Sequence, residues 1–158
     1  MFATLRRSGG IEALARRVGQ APAQVSVATE LLITELIDCL RKYVATKGGE
    51  EEGVENLLNL LAEFGDGRLA ADVMGPDPID PSEGEAILDR IYAAIGVARP
   101  TIDEIADRNG LDPEEVGKVL PLLAMLLCGY IAARFASGGE GGDGMAWAID
   151  LLVPHRRI

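Results

Sequence analysis

The chain has 158 residues, a net charge of −10 and 48% hydrophobic residues. That length supports one hydrophobic core without staples, and that apolar content excludes disorder of the whole chain. The excess of carboxylates is repelled by phosphate backbones and anionic bilayers, so the bulk charge disfavours nucleic acid and membrane surfaces as partners.

Aromatic residues make up only 4% of the chain, so Leu, Ile, Val and Ala must fill the core. Together with many Glu and Arg, these residues favour helix over strand. The charge is unevenly spread. Residues 1–43 carry Arg6, Arg7, Arg16, Arg17, Arg41 and Lys42 against Glu12, Glu30, Glu35 and Asp38, a balance of +2 that leaves −12 for the remainder.

The opening MFATLRRSGG lacks an apolar signal core, which points to a cytoplasmic protein. After Gly9-Gly10, a first helix is expected over Ile11–Val18, because Ile11, Leu14, Ala15 and Val18 fall on one helical face. Gly19 suits the position just past that helix, and Pro22 suits the first turn of the next one. The second helix is expected to reach Tyr43, with Val25, Ala28, Leu32, Leu36, Ile37 and Leu40 forming a broad apolar face.

Residues 47–53 (KGGEEEG) read as a polar break containing a solvated Glu50-Glu51-Glu52 run. Helices are then expected over Val54–Phe64 and Arg68–Met74. Between Gly75 and Pro81, three prolines exclude helix. Ser82 with Glu85 fits a capping box that opens a helix to Ile95, and Asp80-Pro81 is an equally good start signal.

A stronger start follows at Thr101, whose hydroxyl can accept the Glu104 amide while the Glu104 side chain reaches back. This helix should end at Asn109, with Gly110 after it. Asp112-Pro113-Glu114-Glu115 opens the next helix, with Asp at the cap, Pro113 in the first turn and acids facing the positive end of the dipole. Val119 to Ala133 is a charge-free run of 15 residues. A membrane span needs roughly 20 apolar residues, so the run is read as a buried core helix and no membrane insertion is expected. Pro121 must either kink this helix or end it and start another. Residues 137–144 read as a flexible glycine-rich linker. Beyond it, residues 145–153 are expected to form a last short helix docking back through Trp147, Ile149 and Leu152.

An internal repeat emerges at an offset of 91 residues, with 11–43 lying over 102–134. Ile11 falls on Ile102, Ala15 on Ala106, Arg17 on Arg108, Gly19 on Gly110, Pro22 on Pro113, Val25 on Val116, and Leu31-Leu32 on Leu122-Leu123. Each copy reads as a short helix, a tight Gly–x–x–Pro turn and a longer apolar helix. Such a pair buries its apolar face poorly alone, so the two pairs are expected to pack on each other. The expected fold is one compact all-α domain, a multi-helix bundle of roughly seven helices containing these quasi-equivalent units.

Residues 86–134 carry a family resemblance. A helix ending in Ile95-Gly96, the Ile105-Ala106…Gly110-Leu111…Val116 turn, and Leu120-Pro121-Leu122-Leu123-Ala124 followed by Gly129 together resemble the core of the YidB-like bacterial proteins. The glycine-rich stretch after them is also similar to that family. Residues 46–82 match it less clearly, and the charged tail His155, Arg156, Arg157 departs from it. The resemblance implies an all-α bacterial protein and brings no catalytic residues to carry over.

Chemistry-bearing constellations are sparse. Thr101 to Leu120 has helix–turn–helix spacing, yet residues 101–118 sum to −4, and a recognition helix opening Pro-Glu-Glu would present carboxylates to phosphates. His155 is the lone histidine, beside Arg156 and Arg157, and a triad needs a rigidly held base. Cys39 and Cys128 sit in apolar helical patterns and read as buried reduced thiols. Asp77, Asp80, Glu83 and Glu85 are dense, but Ile79 and Pro81 interrupt the spacing a calcium loop needs. No metal, cofactor or catalytic residue is assigned, and Gly19, Pro22, Gly110, Pro113 and Pro121 are expected to be structural. The remaining expectation is a non-enzymatic interaction or assembly module, using apolar surface left over on helices 22–43 and 116–136 for a protein partner or a second copy. The alternatives are a nucleic-acid-binding regulator and an enzyme whose Asp, Glu and Arg site is assembled only in the fold. An exposed basic face at Arg6, Arg7, Arg16 and Arg17 would favour the regulator.

Overall fold

The computed structural model describes residues 2–137 and 143–153. Among the described residues there are nine helices and no strands. They are α1 (Phe2–Arg7), α2 (Gly10–Val18), α3 (Pro22–Thr46), α4 (Glu50–Phe64), α5 (Arg68–Met74), α6 (Ser82–Ile95), α7 (Ile102–Asn109), α8 (Pro113–Ser137) and α9 (Asp143–Leu152). The all-α expectation holds.

Two helix pairs organise the bundle. In the first, Gly19 ends α2 at φ +72°, and the Gln20 amide donates to the Ala15 carbonyl at 3.1 Å. In the second, Gly110 ends α7 at φ +66°, and the Leu111 amide donates to the Ala106 carbonyl at 2.9 Å. Glycine takes this left-handed conformation at little cost, and the bonds satisfy carbonyls that a helix end leaves orphaned. Pro22 and Pro113 then start α3 and α8, each 25 residues long.

The core is centred on α8. Every residue from Val119 to Gly129 is buried, and α8 is packed against α2, α3, α5, α6, α7 and α9. By length and composition this helix could cross a membrane, since its best window has a mean hydropathy of 1.9, but 72% of that window lies buried inside the bundle. Counting only its charge-free stretch understates its apolar reach. The helix passes through Pro121 without a break. Proline there removes an amide that would have bonded the Gly117 carbonyl. Gly84 of α6 comes so close at this point that a Cβ on it would strike the Pro121 carbonyl oxygen.

Several boundaries differ from the sequence reading. A first helix precedes Gly9-Gly10: α1 is only six residues long, too short to show periodicity, and it is anchored by buried Leu5. The run Glu50-Glu51-Glu52 forms the first turn of α4 instead of a loop, because three acids there meet the positive end of the helix dipole. The Ser82–Glu85 capping box does not form. Pro81 stands at the cap, and Asp80 Oδ1 accepts the Ser82 amide at 2.9 Å, so the Asp80-Pro81 signal wins. The Thr101–Glu104 box forms in both directions. The linker expected at 137–144 falls largely outside the described residues, and α9 beyond it docks through buried Ala148 and Leu152.

Candidate functional site

The apolar surface expected to be left over on α3 and α8 is largely consumed by the core, because α5, α6 and α9 cover α8. Among the described residues the exposed large hydrophobic side chains are Val27 and Val97, at 58% and 53% exposure. Val97 lines an open groove of about 450 Å³ between α3 and the α6–α7 connection, and Val27 stands one helical turn before Leu31, the first α3 residue of that groove.

Helical spacing builds one wall. Leu31, Thr34, Glu35, Asp38 and Lys42 recur at three- and four-residue intervals along α3, and Val27 extends the same stripe by one turn. Val97 and Pro100 of the connection and Arg108 and Asn109 of α7 form the other wall. Arg99 fixes the connection by bridging two residues of α6, Glu85 at 2.5 Å and Asp89 at 2.9 Å. Across the groove, Arg108 grips Glu35 in a two-pronged pair, Nε to Oε1 at 3.1 Å and Nη2 to Oε2 at 3.0 Å. Asn109 adds a third donor to the same carboxylate at 3.2 Å. Such forked geometry fixes direction as well as charge.

The groove floor carries Tyr92 and Cys39. Burial pushes the Cys39 thiol up to about 11, even though the Tyr92 hydroxyl bonds to the sulfur and Lys42 lies near. Burial also pushes the Tyr92 hydroxyl up. Cys128 is pushed up to about 12 by complete burial. Both cysteines line a void of about 10 Å³ beneath the groove, at the lower limit for holding one water. A thiol with a raised pKa is a poor nucleophile at neutral pH, because the reactive species is the thiolate.

Two of the basic residues of the N-terminal segment, Arg16 and Arg17, have another occupation, whereas Arg6 and Arg7 are exposed on α1. Arg17 donates to the carbonyls of Asp72, Val73, Gly75 and Asp77, and Arg16 donates to those of Met74 and Gly75. These are the carbonyls at and beyond the C-terminal end of α5, where positive charge is favourable. The guanidinium groups thus pin the α5–α6 loop. Asp72, Asp77, Asp80 and Glu83 of that region line a second hollow of about 370 Å³. Among the described residues no group of three or more His, Cys, Asp or Glu is placed to hold a metal ion. His155, Arg156 and Arg157 lie outside the described residues.

The residues expected from sequence to be structural are not gathered at the groove. Gly19 and Gly110 end short helices, Pro22 and Pro113 start long ones, and Pro121 lies in the core. Sequence reading missed Val97, Tyr92 and the Glu35–Arg108 pair as parts of one place. The α3 stripe was visible in helical spacing, but nothing local links it to residues 92–109.

A family of bacterial proteins of unknown function, DUF937, matches residues 4–134. The chain belongs to this family. The match agrees with the YidB-like resemblance and extends it from the second helix pair back to α1, across the region 46–82 where that resemblance was faint. No curated protein and no solved structure matches the chain.

Proposed function

We propose that this DUF937 chain is a non-enzymatic interaction or assembly module of the bacterial cytoplasm. One observation carries the reading: Val97, more than half exposed, lines the groove together with Leu31, and exposed Val27 stands one helical turn before Leu31 on α3. Exposed apolar side chains at a concave, polar-lined surface support an interface there, since a partner would take them out of water. Further support comes from several groups suited to other chemistry that are engaged in holding the fold. The thiols are buried and kept protonated, Arg108 neutralises Glu35, and Arg16 and Arg17 cap α5. Nucleic-acid binding draws no support from Arg16 and Arg17, since a guanidinium committed to carbonyls is poorly placed to meet phosphates.

Native mass spectrometry of the protein purified from its own host tests the reading. A stoichiometric second copy or another protein is the expected result. A bound metal or small molecule would replace the proposal with an enzyme or sensor. A bare monomer across the accessible concentration range would overturn the assembly role.

A further inference from the structure

We propose that the groove along α3 is the seam of a homodimer, in which a second copy of this chain lays its own α3 antiparallel against the first. The inference rests on the interaction reading and supplies its partner.

Charge selects the occupant. A chain of net charge −10 repels its own copy over most of its surface, so two copies can meet only where charge is locally balanced. The groove meets that condition. Glu35 is neutralised by Arg108, and the other charged side chains lining it are one acid, Asp38, and one base, Lys42. These two stand one turn apart on α3, yet no ion pair joins them, whereas Glu114 and Lys118 at the same spacing on α8 pair at 3.4 Å. An acid and a base one turn apart are self-complementary under a two-fold axis. When two such helices run antiparallel about a point between residues 38 and 42, each Asp38 faces Lys42 of the other copy, and the contact is made twice. Thr34 stands inside the same overlap, opposite the last turn of the other α3, and Leu31 and Val97 lie at its margin.

Charge reversal on the full chain is the test, with dimerisation followed by sedimentation over a concentration series. The wild type should dimerise reversibly. Asp38→Lys and Lys42→Asp should each weaken the dimer about tenfold, since each reversal creates two like-charge contacts. The double variant Asp38→Lys/Lys42→Asp should return to within about twofold of wild type, because both pairs are restored with sign reversed. That recovery also separates lost pairing from lost folding. A wild type that stays monomeric overturns the inference, as does a dimer that ignores the reversals or a double variant weaker than either single one. A photoreactive residue at position 97 distinguishes the failures. Cross-linking there to a discrete protein other than itself, with the chain monomeric, removes the homodimer and leaves the interaction reading standing. No cross-link of either kind removes both.

Discussion

The side-chain amide of Gln24 donates to the carboxylate of Glu115 at 3.5 Å, and each residue is the third of its long helix, α3 or α8. Their numbers differ by 91, the offset that aligns the two helix–turn–helix segments. Two helices bring matching positions into contact only where they cross close to those positions, so the starts of α3 and α8 abut. Glu115 is only 6% exposed, and its second oxygen finds no hydrogen-bond partner among the described residues. Gln24→Glu would set two carboxylates against each other in that place. The variant should lose about 1–2 kcal/mol at pH 7, a like-charge cost. Two facing carboxylates raise the folded-state pKa of the pair, so the folded variant holds a proton more tightly than the unfolded one, and the deficit should shrink as pH falls toward 4. Urea midpoints of variant and wild type at the two pH values measure this. A gap independent of pH would mean the side chains do not meet.

Glycine positions separate two kinds of cost. At Gly19 and Gly110 the backbone has positive φ, and an added Cβ would touch nothing within 4 Å. Alanine at either site should therefore cost about 1 kcal/mol, and nearly the same at both, because only backbone strain is added. Gly84 is the opposite case: it lies in α6 at negative φ, but its Cβ would enter the Pro121 carbonyl. Gly84→Ala should cost about 3 kcal/mol or more, since α6 must move off α8. Denaturant titration of the three variants decides it. Equal costs at all three sites would contradict the close crossing of α6 and α8.

Arg17 illustrates what substitution by a similar charge cannot replace. Its three guanidinium nitrogens reach four carbonyls around the end of α5. Lysine offers one ammonium on a flexible stem, so Arg17→Lys should recover only a minority of the roughly 2 kcal/mol that Arg17→Ala loses. Amide exchange across residues 72–77 should speed up in both variants. Unchanged exchange there would show that the loop holds itself.

Local chemistry made much of the fold legible. Gly19, Pro22, Thr101, Glu104, Gly110 and Pro113 act through their own helix ends, so their roles follow from neighbours in sequence. The Ser82 start failed because Asp80 competed for the same amide, and sequence spacing does not rank two adjacent caps. Burial was harder to read. The apolar faces of α3 and α8 were plain, but how much of them stays exposed depends on α5, α6 and α9 folding over α8. The groove was illegible for the same reason, since Val97 and Arg108 meet the α3 stripe only through tertiary packing.

The two thiols give the fold a pH dependence of their own. Unfolded cysteine titrates near 9.0, whereas burial holds Cys39 up to about 11 and Cys128 up to about 12. The folded chain therefore keeps these protons longer than the unfolded chain, and stability must fall as pH rises above 9. Below that value both states are protonated and the thiols contribute no slope. Across pH 9 to 11 the loss should be on the order of a few kcal/mol. Cys39→Ala/Cys128→Ala should have a flatter profile over the same range, though it starts lower at pH 7 from the cavity it leaves. The same burial means that native protein at pH 8 should resist a thiol reagent and react at both sites once unfolded. Rapid labelling of Cys39 in the native state would show that Tyr92 swings away from the groove floor, and that the thiol is open to whatever enters.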